Sequence, residues 1–386
     1  MTSVSFWWIA ILYCDLQALG GRHLATIYDV ARVSGVSPKT VSRVINRDAA
    51  VKASTKEAVE KAIAELGYVP STAARAMRSN KSGLVGLITG AISLRQQHQE
   101  ISGLPDLLIV QGIQKAIEAS GKTLLIADTG GRQERVPQLI RTFEEHRVEG
   151  LIYVADYHRQ ITLPEISRDT RMILANCYDD KGTPCVLPDD RQGQRRIVEA
   201  LLAKGHRRIA YLSLSARMDA TVLRTLGFED AMAAAGVAVD PALMIPSDID
   251  TDDPDGEAQL LWDSIERVLS MPQPPTAICF GNDRMAMRAY GILRSRGLTL
   301  PDDISIVGYD NYRLITETLY PPLTSVDLPY HAIGIRATQL LLGAIDRNEM
   351  MPTEPVLVSG QVHHRQSVTQ IATPITQLSS IGRTTT

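Results

Sequence analysis

In the run Ser37-Pro38-Lys39-Thr40-Val41-Ser42-Arg43-Val44-Ile45-Asn46, four polar side chains capable of reading nucleic acid crowd into a turn and a half of predicted helix. Lys39, Thr40, Ser42 and Arg43 project from one side, while Val41, Val44 and Ile45 form the apolar face. Arg and Lys pair with guanine O6 and N7 in the major groove, and Ser or Thr hydroxyls reach phosphate. An ordinary solvated basic helix would show the same charge and period. Two neighbouring features favour recognition. The small turn Ser34-Gly35-Val36 precedes the helix, and residues 22–82 hold eleven Lys or Arg against five Asp or Glu. That segment is +6, although the 386-residue chain as a whole is −3. A basic module on an acidic remainder is the electrostatic footprint of a DNA-binding headpiece.

A second set of candidates sits at strand ends. Asn176 follows the apolar run Met172–Ala175, Asn282-Asp283 follows Ile278-Cys279-Phe280, and Asp310-Asn311 follows Ile306–Tyr309. In open parallel sheets ligands bind outside the carboxyl ends of the strands. The plainer reading of Asp310 is a turn or cap residue. Catalytic signatures are missing: the chain has no GxSxG, HExxH, Walker loop or GxGxxG after a strand. Cys14, Cys177, Cys185 and Cys279 show no CxxC and no zinc spacing. No catalytic residue, metal or cofactor is therefore expected, and a reducing cytosol is the simplest setting. Cys177 and Cys185 are close enough in sequence to leave a disulfide open.

The elements that must position these groups are legible from caps and periodicity. Thr26 can cap a helix from Ile27 to Val33, and Ser37 caps a second, with Pro38 in its first turn, where a missing N–H costs nothing. Ser54-Thr55-Lys56-Glu57 reads as a capping box for a third helix that stops at Gly67. Pro70 and Ser71 then open a short helix and polar linker, too brief to be stable unless DNA holds it. Beyond Leu84, strands are predicted at 84–88, 123–127, 150–154, 172–175, 209–214, 276–280 and 304–308. Helices are predicted at 107–120, 133–147, 191–204, 224–235, 256–270, 283–297 and 330–347. Such alternation implies parallel sheets covered on both faces, and the number of elements implies two lobes. Residues 92–104 read as a loop.

An apolar content of 44% with 22% charged residues is ordinary for a soluble globular chain. Residues 1–25 read as an extension: the apolar run Phe6–Cys14 is too short to span a bilayer, and no Lys or Arg precedes Arg22 to make a secretory signal. Residues 369–386, rich in Thr and Ser, read as a disordered tail without a leucine heptad.

Thr26-Ile27-Tyr28-Asp29-Val30-Ala31, Gly35-Val36-Ser37 and Thr40-Val41-Ser42-Arg43-Val44-Ile45-Asn46 together resemble the headpiece of the lac repressor family of bacterial transcription regulators. The resemblance continues through Leu66-Gly67-Tyr68-Val69-Pro70, Ala74-Arg75, Gly205-His206-Arg207-Arg208-Ile209, Asn282-Asp283-Arg284-Met285-Ala286, Pro301–Asp310 and Pro321-Pro322-Leu323-Thr324-Ser325. It covers about residues 25–368.

The resemblance implies an all-α helix-turn-helix headpiece over 26–69, a hinge helix and linker over 70–83, and an α/β body over 84–368. The body would hold two doubly wound parallel-sheet lobes of periplasmic-binding-protein type, one comprising 84–187 and 328–352, the other 188–327 and 353–368. It implies a homodimer on a near-palindromic, double-stranded operator. Pro38, Lys39 and Arg43 then fall at base-reading positions, Thr26, Ser37, Thr40 and Asn46 at backbone contacts, and Ala74 and Met77 at hinge positions in the minor groove. Met77 stands where the family usually wedges a leucine. Positions that hold an effector match Arg224, Asn282 and Asp310, and Asn176 less closely; a surface helix charge is the plainer reading of Arg224. A rigid Arg fork with Asp and Asn acceptors suits a sugar or polyol. Thr251, where relatives often place an aromatic, and the long segment 91–105 both alter the rim of the cleft. The rivals are a solute-binding protein, which would need an export signal, and an enzyme on the same two-lobe fold, which would need paired titratable groups. Whether an effector releases or tightens the operator is not fixed by the sequence.

Overall fold

The computed structural model describes residues 25–46, 51–69, 81–90, 92, 107–167, 170–216, 218–248 and 254–371. The expected hinge with Ala74 and Met77, nearly all of the N-terminal extension and of the 92–104 loop, Thr251, and the tail beyond residue 371 lie outside the described residues. The chain divides into two compact units at Ser82/Gly83.

In the first unit, α1 (Ile27–Ser34) starts with a complete capping box. The Thr26 hydroxyl accepts from the Asp29 N–H, and the Asp29 carboxylate accepts from the Thr26 N–H. Gly35, at φ +71°, ends the helix in the left-handed conformation that a side chain would resist. Ser37 caps α2 (Pro38–Ile45) through the Thr40 N–H at 3.2 Å. The third helix, α3 (Ala53–Leu66), does not use the expected Ser54–Glu57 box. Its cap falls two residues earlier, so Ser54 lies inside the first turn, and Lys52 caps it with no side-chain hydrogen bond. Val30, Ala31, Val41, Val44, Val59 and Ala62 meet in one buried core. At about 1.5–3 kcal/mol per buried aliphatic side chain, this contact rather than helix propensity holds three short helices together.

The second unit contains two six-stranded sheets. The first has β1 (Leu84–Thr89), β2 (Thr123–Asp128), β3 (Gly150–Gln160), β4 (Met172–Tyr178), β5 (Cys185–Pro188) and β11 (Val356–Val358), ordered β11-β5-β4-β3-β1-β2 and parallel throughout. The second has β6 (Ile209–Ser213), β7 (Met244–Pro246), β8 (Ala277–Phe280), β9 (Ser305–Asp310), β10 (Thr324–Asp327) and β12 (Val362–His363), ordered β12-β10-β9-β8-β6-β7. Only β12 is antiparallel, against β10. Helices α4 (Leu107–Ser120), α5 (Val136–Glu145) and α11 (Tyr330–Arg347) belong with the first sheet. With the second go α6 (Asp190–Ala203), α7 (Asp219–Ala234), α8 (Pro254–Leu269), α9 (Asp283–Ser295) and the short α10 (Arg313–Thr316).

The chain passes between the sheets three times: after β5, between β10 and α11, and between β11 and β12. Residues 353–368 were expected in the second lobe alone, but Val356–Val358 pair with Val186–Pro188 and close the edge of the first sheet. Residues 369–371, expected in the tail, are held in place. Thr369 donates its N–H to Ser305 Oγ (3.0 Å) and Ile371 its N–H to the Lys204 carbonyl (2.9 Å), so both are pinned to the second lobe. Cys177 and Cys185 are free, buried thiols; the register sets Cys185 against Leu174, three residues from Cys177. Among the described residues no helix is long and apolar enough to cross a membrane.

Close helix packing fixes where α7 lies. A Cβ at Gly227 would collide with the Arg191 carbonyl oxygen of α6, so glycine alone lets the two helices touch backbone to backbone. Gly291 of α9, by contrast, has open space where its Cβ would be. Gly227→Ala should therefore destabilise the protein by about 1–3 kcal/mol through overpacking, whereas Gly291→Ala should stabilise it by about 0.5–1 kcal/mol. Urea unfolding of the two full-length variants measures both; equal effects would show that α6 and α7 are not in such close contact.

Candidate functional site

On the headpiece, the backbone presents a small polar surface. Lys39, Arg43 and Asn46 are exposed, and Thr40 and Pro38 are half-buried. Ser37 Oγ lies 2.9 Å from Thr40 Oγ1, so the two hydroxyls hold each other at the N-terminus of α2. Thr26 is exposed and tied to Asp29 Oδ2 at 2.7 Å. These bonds, with Arg32 beside it, hold the Asp29 carboxyl below its ordinary value. Ser42 departs from expectation: it is buried, not part of the outward face. On a helical wheel it lies at the edge of the packed arc, about 40° from Pro38, about 60° from Lys39 and about 100° from Arg43. Tyr28, 72% exposed, adds an aromatic surface that charge and period did not single out.

In the body, Arg224 is the centre of the second site. It is buried, not a surface charge. Its Nε donates to Asp190 Oδ1 (2.7 Å), its Nη1 donates to the Gly281 carbonyl (2.6 Å), and its guanidinium carbon lies 3.5 Å from the centroid of the Tyr309 ring. Asp190, the first residue of α6, also meets His158 Nδ1 through its other oxygen, at 2.9 Å. Burial alone would raise the Asp190 carboxyl, but Arg224 and His158 outweigh it and hold it below the ordinary range. The same carboxylate raises Arg224 against the opposing effect of burial.

Asp310 ends β9 directly after Tyr309. Its φ of +107° is costly for a residue with a side chain, about 1–3 kcal/mol, a strain that collects at functional sites. The carboxyl is 5% exposed, and its Oδ1 has no hydrogen-bond partner among the described residues. Burial pushes it well above the ordinary carboxylate range; Arg224 opposes this, and Asp283 and Asp190 add to it. Asp283 is itself raised to about 7 by burial, against hydrogen bonds from Ser325 Oγ (2.6 Å) and the Tyr312 N–H (2.7 Å).

The other two candidates differ. Asn176, fully buried at φ +62°, donates to the Ala155 carbonyl (3.2 Å) and to the Tyr330 hydroxyl (3.1 Å), leaving Oδ1 unpartnered. Asn282 spends its acceptor on a helix cap: Oδ1 takes the Met285 N–H at 2.8 Å and starts α9. The structure thus joins Arg224 to Gly281, next to Asn282, and stacks it on Tyr309, next to Asp310. Asn176 reaches toward this group from the first sheet through Tyr330.

Sequence reasoning passed over Asp190, His158, Tyr309 and Tyr330, and also Gln194, which is buried with neither end of its amide bonded. The Asn282 cap was readable from the Asn-Asp pair before an amphipathic helix. A partnership such as His158–Asp190, between residues in different elements, leaves no local signal. The assembled groups are a fixed guanidinium fork beside acceptors that lack donors. That arrangement can orient a small ligand rich in hydroxyl or N–H groups. Among the described residues no group of three or more His, Cys, Asp and Glu could hold a metal ion.

Comparison with known proteins gives a match in each of the two units of the chain. Residues 26–71 match the model of bacterial regulatory proteins of the lacI family, and residues 198–368 match the periplasmic binding protein-like domain. The HTH-type transcriptional repressor PurR of Vibrio campbellii is 32% identical over 330 residues, covering 84% of this chain and 93% of that one. PurR of Vibrio atlanticus is 31% identical, covering 83% of this chain and 92% of that one. Among solved structures, the lac repressor dimer bound to operator and the anti-inducer ONPF superposes with a TM-score of 0.69 at 25% identity, covering 90% of this chain and 99% of that one. A CelR–cellobiose complex gives 0.60 at 27% identity, covering 89% and 99%.

The raised carboxyl of Asp310 has a testable consequence. Its folded-state value lies above the unfolded value of about 4. The proton therefore contributes stability that is complete below the unfolded value and is lost as pH rises through the folded one. Asp310→Asn, neutral at every pH, should gain on the native protein in Tm as pH is raised from 5 to 8, with the difference shrinking toward pH 4. A constant difference across that range would mean that Asp310 ionises normally.

Proposed function

The chain belongs to the lacI family of bacterial regulatory proteins and is a DNA-binding transcriptional repressor; from that premise we propose that it binds a near-palindromic operator as a homodimer and answers to a small carbohydrate-like effector held around Arg224 and Asp310. The observation that carries the effector reading is the pairing of a buried guanidinium, aimed by Asp190 and Gly281, with a buried carboxyl whose Oδ1 has no partner among the described residues. A vicinal diol supplies what this pair lacks, since one hydroxyl accepts from the guanidinium while its neighbour donates to the carboxyl. The cellobiose of the CelR complex is a ligand of that kind on a related fold.

On DNA, Lys39 and Arg43 are the exposed cations of α2 and the groups best placed to meet base edges, with Ser37, Thr40, Asn46 and Thr26 on the backbone. Met77 and Ala74 complete the reading in the minor groove, where a methionine can wedge a base step. A repressor that binds an operator works in the cytosol. The effector acts by binding one arrangement of the lobes more tightly than the other, which changes the population able to hold operator. A ligand that favours the DNA-bound arrangement is a corepressor, and one that opposes it is an inducer.

The test is a thermal-shift screen of the full chain against mono- and disaccharides, polyols, sugar acids and purines, since a ligand that binds only the folded protein raises its Tm. A sugar or polyol that shifts the native protein but not Asp310→Ala, which should still bind operator, is the expected result. A purine hit would overturn the carbohydrate reading. Arg43→Ala should cost about 1–3 kcal/mol on the preferred operator and relax base preference at one position per half-site. Binding assays on a set of operator variants check this, and equal weakening on every sequence would assign Arg43 to phosphate.

A further inference from the structure

Strand β3 was expected to end at Val154, where its pairing with β1 ends, but it continues to Gln160. Its register against β4 shifts between Val154 and Arg159, after which Arg159 pairs with Cys177 and Gln160 with Tyr178. The irregular stretch carries His158 into the interior, 5% exposed, with Nδ1 2.9 Å from Asp190 Oδ2. Asp190 opens α6 at the chain's first passage between the sheets, and its other oxygen holds Arg224. An imidazole of the first lobe, a carboxylate at the crossing and a guanidinium of the second lobe thus form one hydrogen-bonded row. Tyr178, edge-on to His158 at 6.0 Å between ring centroids, donates from its hydroxyl to Asp219 Oδ2 (3.0 Å), the first residue of the helix that carries Arg224.

We infer that His158 is a positioning residue of the effector site, acting through Asp190 on Arg224. A carboxylate with one firm partner can rotate; with His158 on Oδ2 and Arg224 on Oδ1 it cannot. Arg224 then has Nε committed to Asp190 and Nη1 to Gly281, and sits over the Tyr309 ring, while Nη2 makes no hydrogen bond among the described residues. That nitrogen is the end of the fork left for a ligand, and its direction is set from the opposite lobe. The link to the effector rests on the reading that Arg224 binds it; the hold of His158 on Arg224 does not.

The measurement is hydrogen exchange of the Arg224 side-chain Nε–H in the ¹⁵N-labelled full chain, with the signal assigned by its loss in Arg224→Lys. Two polar variants separate positioning from simple packing. The amide of His158→Asn stands where Nδ1 stands and can still donate to Asp190, whereas that of His158→Gln reaches to the place of Nε2. The asparagine variant should keep the exchange rate within about threefold of native, and the glutamine variant should speed it at least tenfold. Equal rates in the two variants, or a native rate in both, would overturn the proposal. Calorimetric titration of the same proteins with cellobiose and with hypoxanthine addresses the effector reading separately. A probe that binds the native protein should bind the glutamine variant at least tenfold more weakly, and native protein that binds neither probe counts against the effector reading while the exchange rates still decide the role of His158.

Discussion

The body depends on one buried ion pair. Asp190 and Arg224 are both almost wholly out of water, and an isolated charge there would cost several kcal/mol. The pair survives because each member has more than one partner: His158 for the carboxylate, and the Gly281 carbonyl and the Tyr309 ring for the guanidinium. Each of those partners comes from a different element, so satisfying two charges fixes β3, α6, α7, β9 and the β8–α9 turn relative to one another. The close approach of α6 and α7 at Gly227 serves the same end, since a wider gap would pull the two charges apart.

The pair also sets the behaviour of the neighbouring acids. Three carboxyls, Asp190, Asp283 and Asp310, lie in the field of the buried Arg224 guanidinium, with Arg365 acting more strongly on Asp283. Asp190 takes it by direct contact and stays ionised. Asp283 has Ser325 and the Tyr312 N–H in its place. Asp310 has neither, and burial holds its carboxyl well above the ordinary range.

Much of this is legible in the amino-acid sequence. The caps at Thr26, Ser37 and Gly67, the turn at Gly35, strands β1 to β4, β6, β8 and β9, and the two helices at 107–120 and 330–347 follow from local rules, because local rules are what form them. What escaped was short or distant. Strands such as Met244–Pro246 and Val356–Val358 have three residues and no period to read, and are strands only because a neighbour completes their hydrogen bonds. The start of α7 at Asp219 was missed because Met218 offers no capping side chain. Arg224, Asn282, Asp310 and Asn176 were singled out from family likeness and strand ends, whereas the contact of Asp190 with His158 forms only when the chain has crossed between the sheets.

The late return of the chain to the first sheet bears on how the protein is made. Strands β1 to β5 emerge from the ribosome as a sheet with one edge bare and without α11, the helix that packs on α4. The residues that cover that surface come after the whole of the second sheet up to β10 has been synthesised. Sequence-distant closure of this kind is slow and leaves apolar strands uncovered meanwhile. The first lobe is thus the first to be translated and among the last to be completed, and a chain cut short before residue 358 would lose the outer strand of a lobe whose other strands it had already finished.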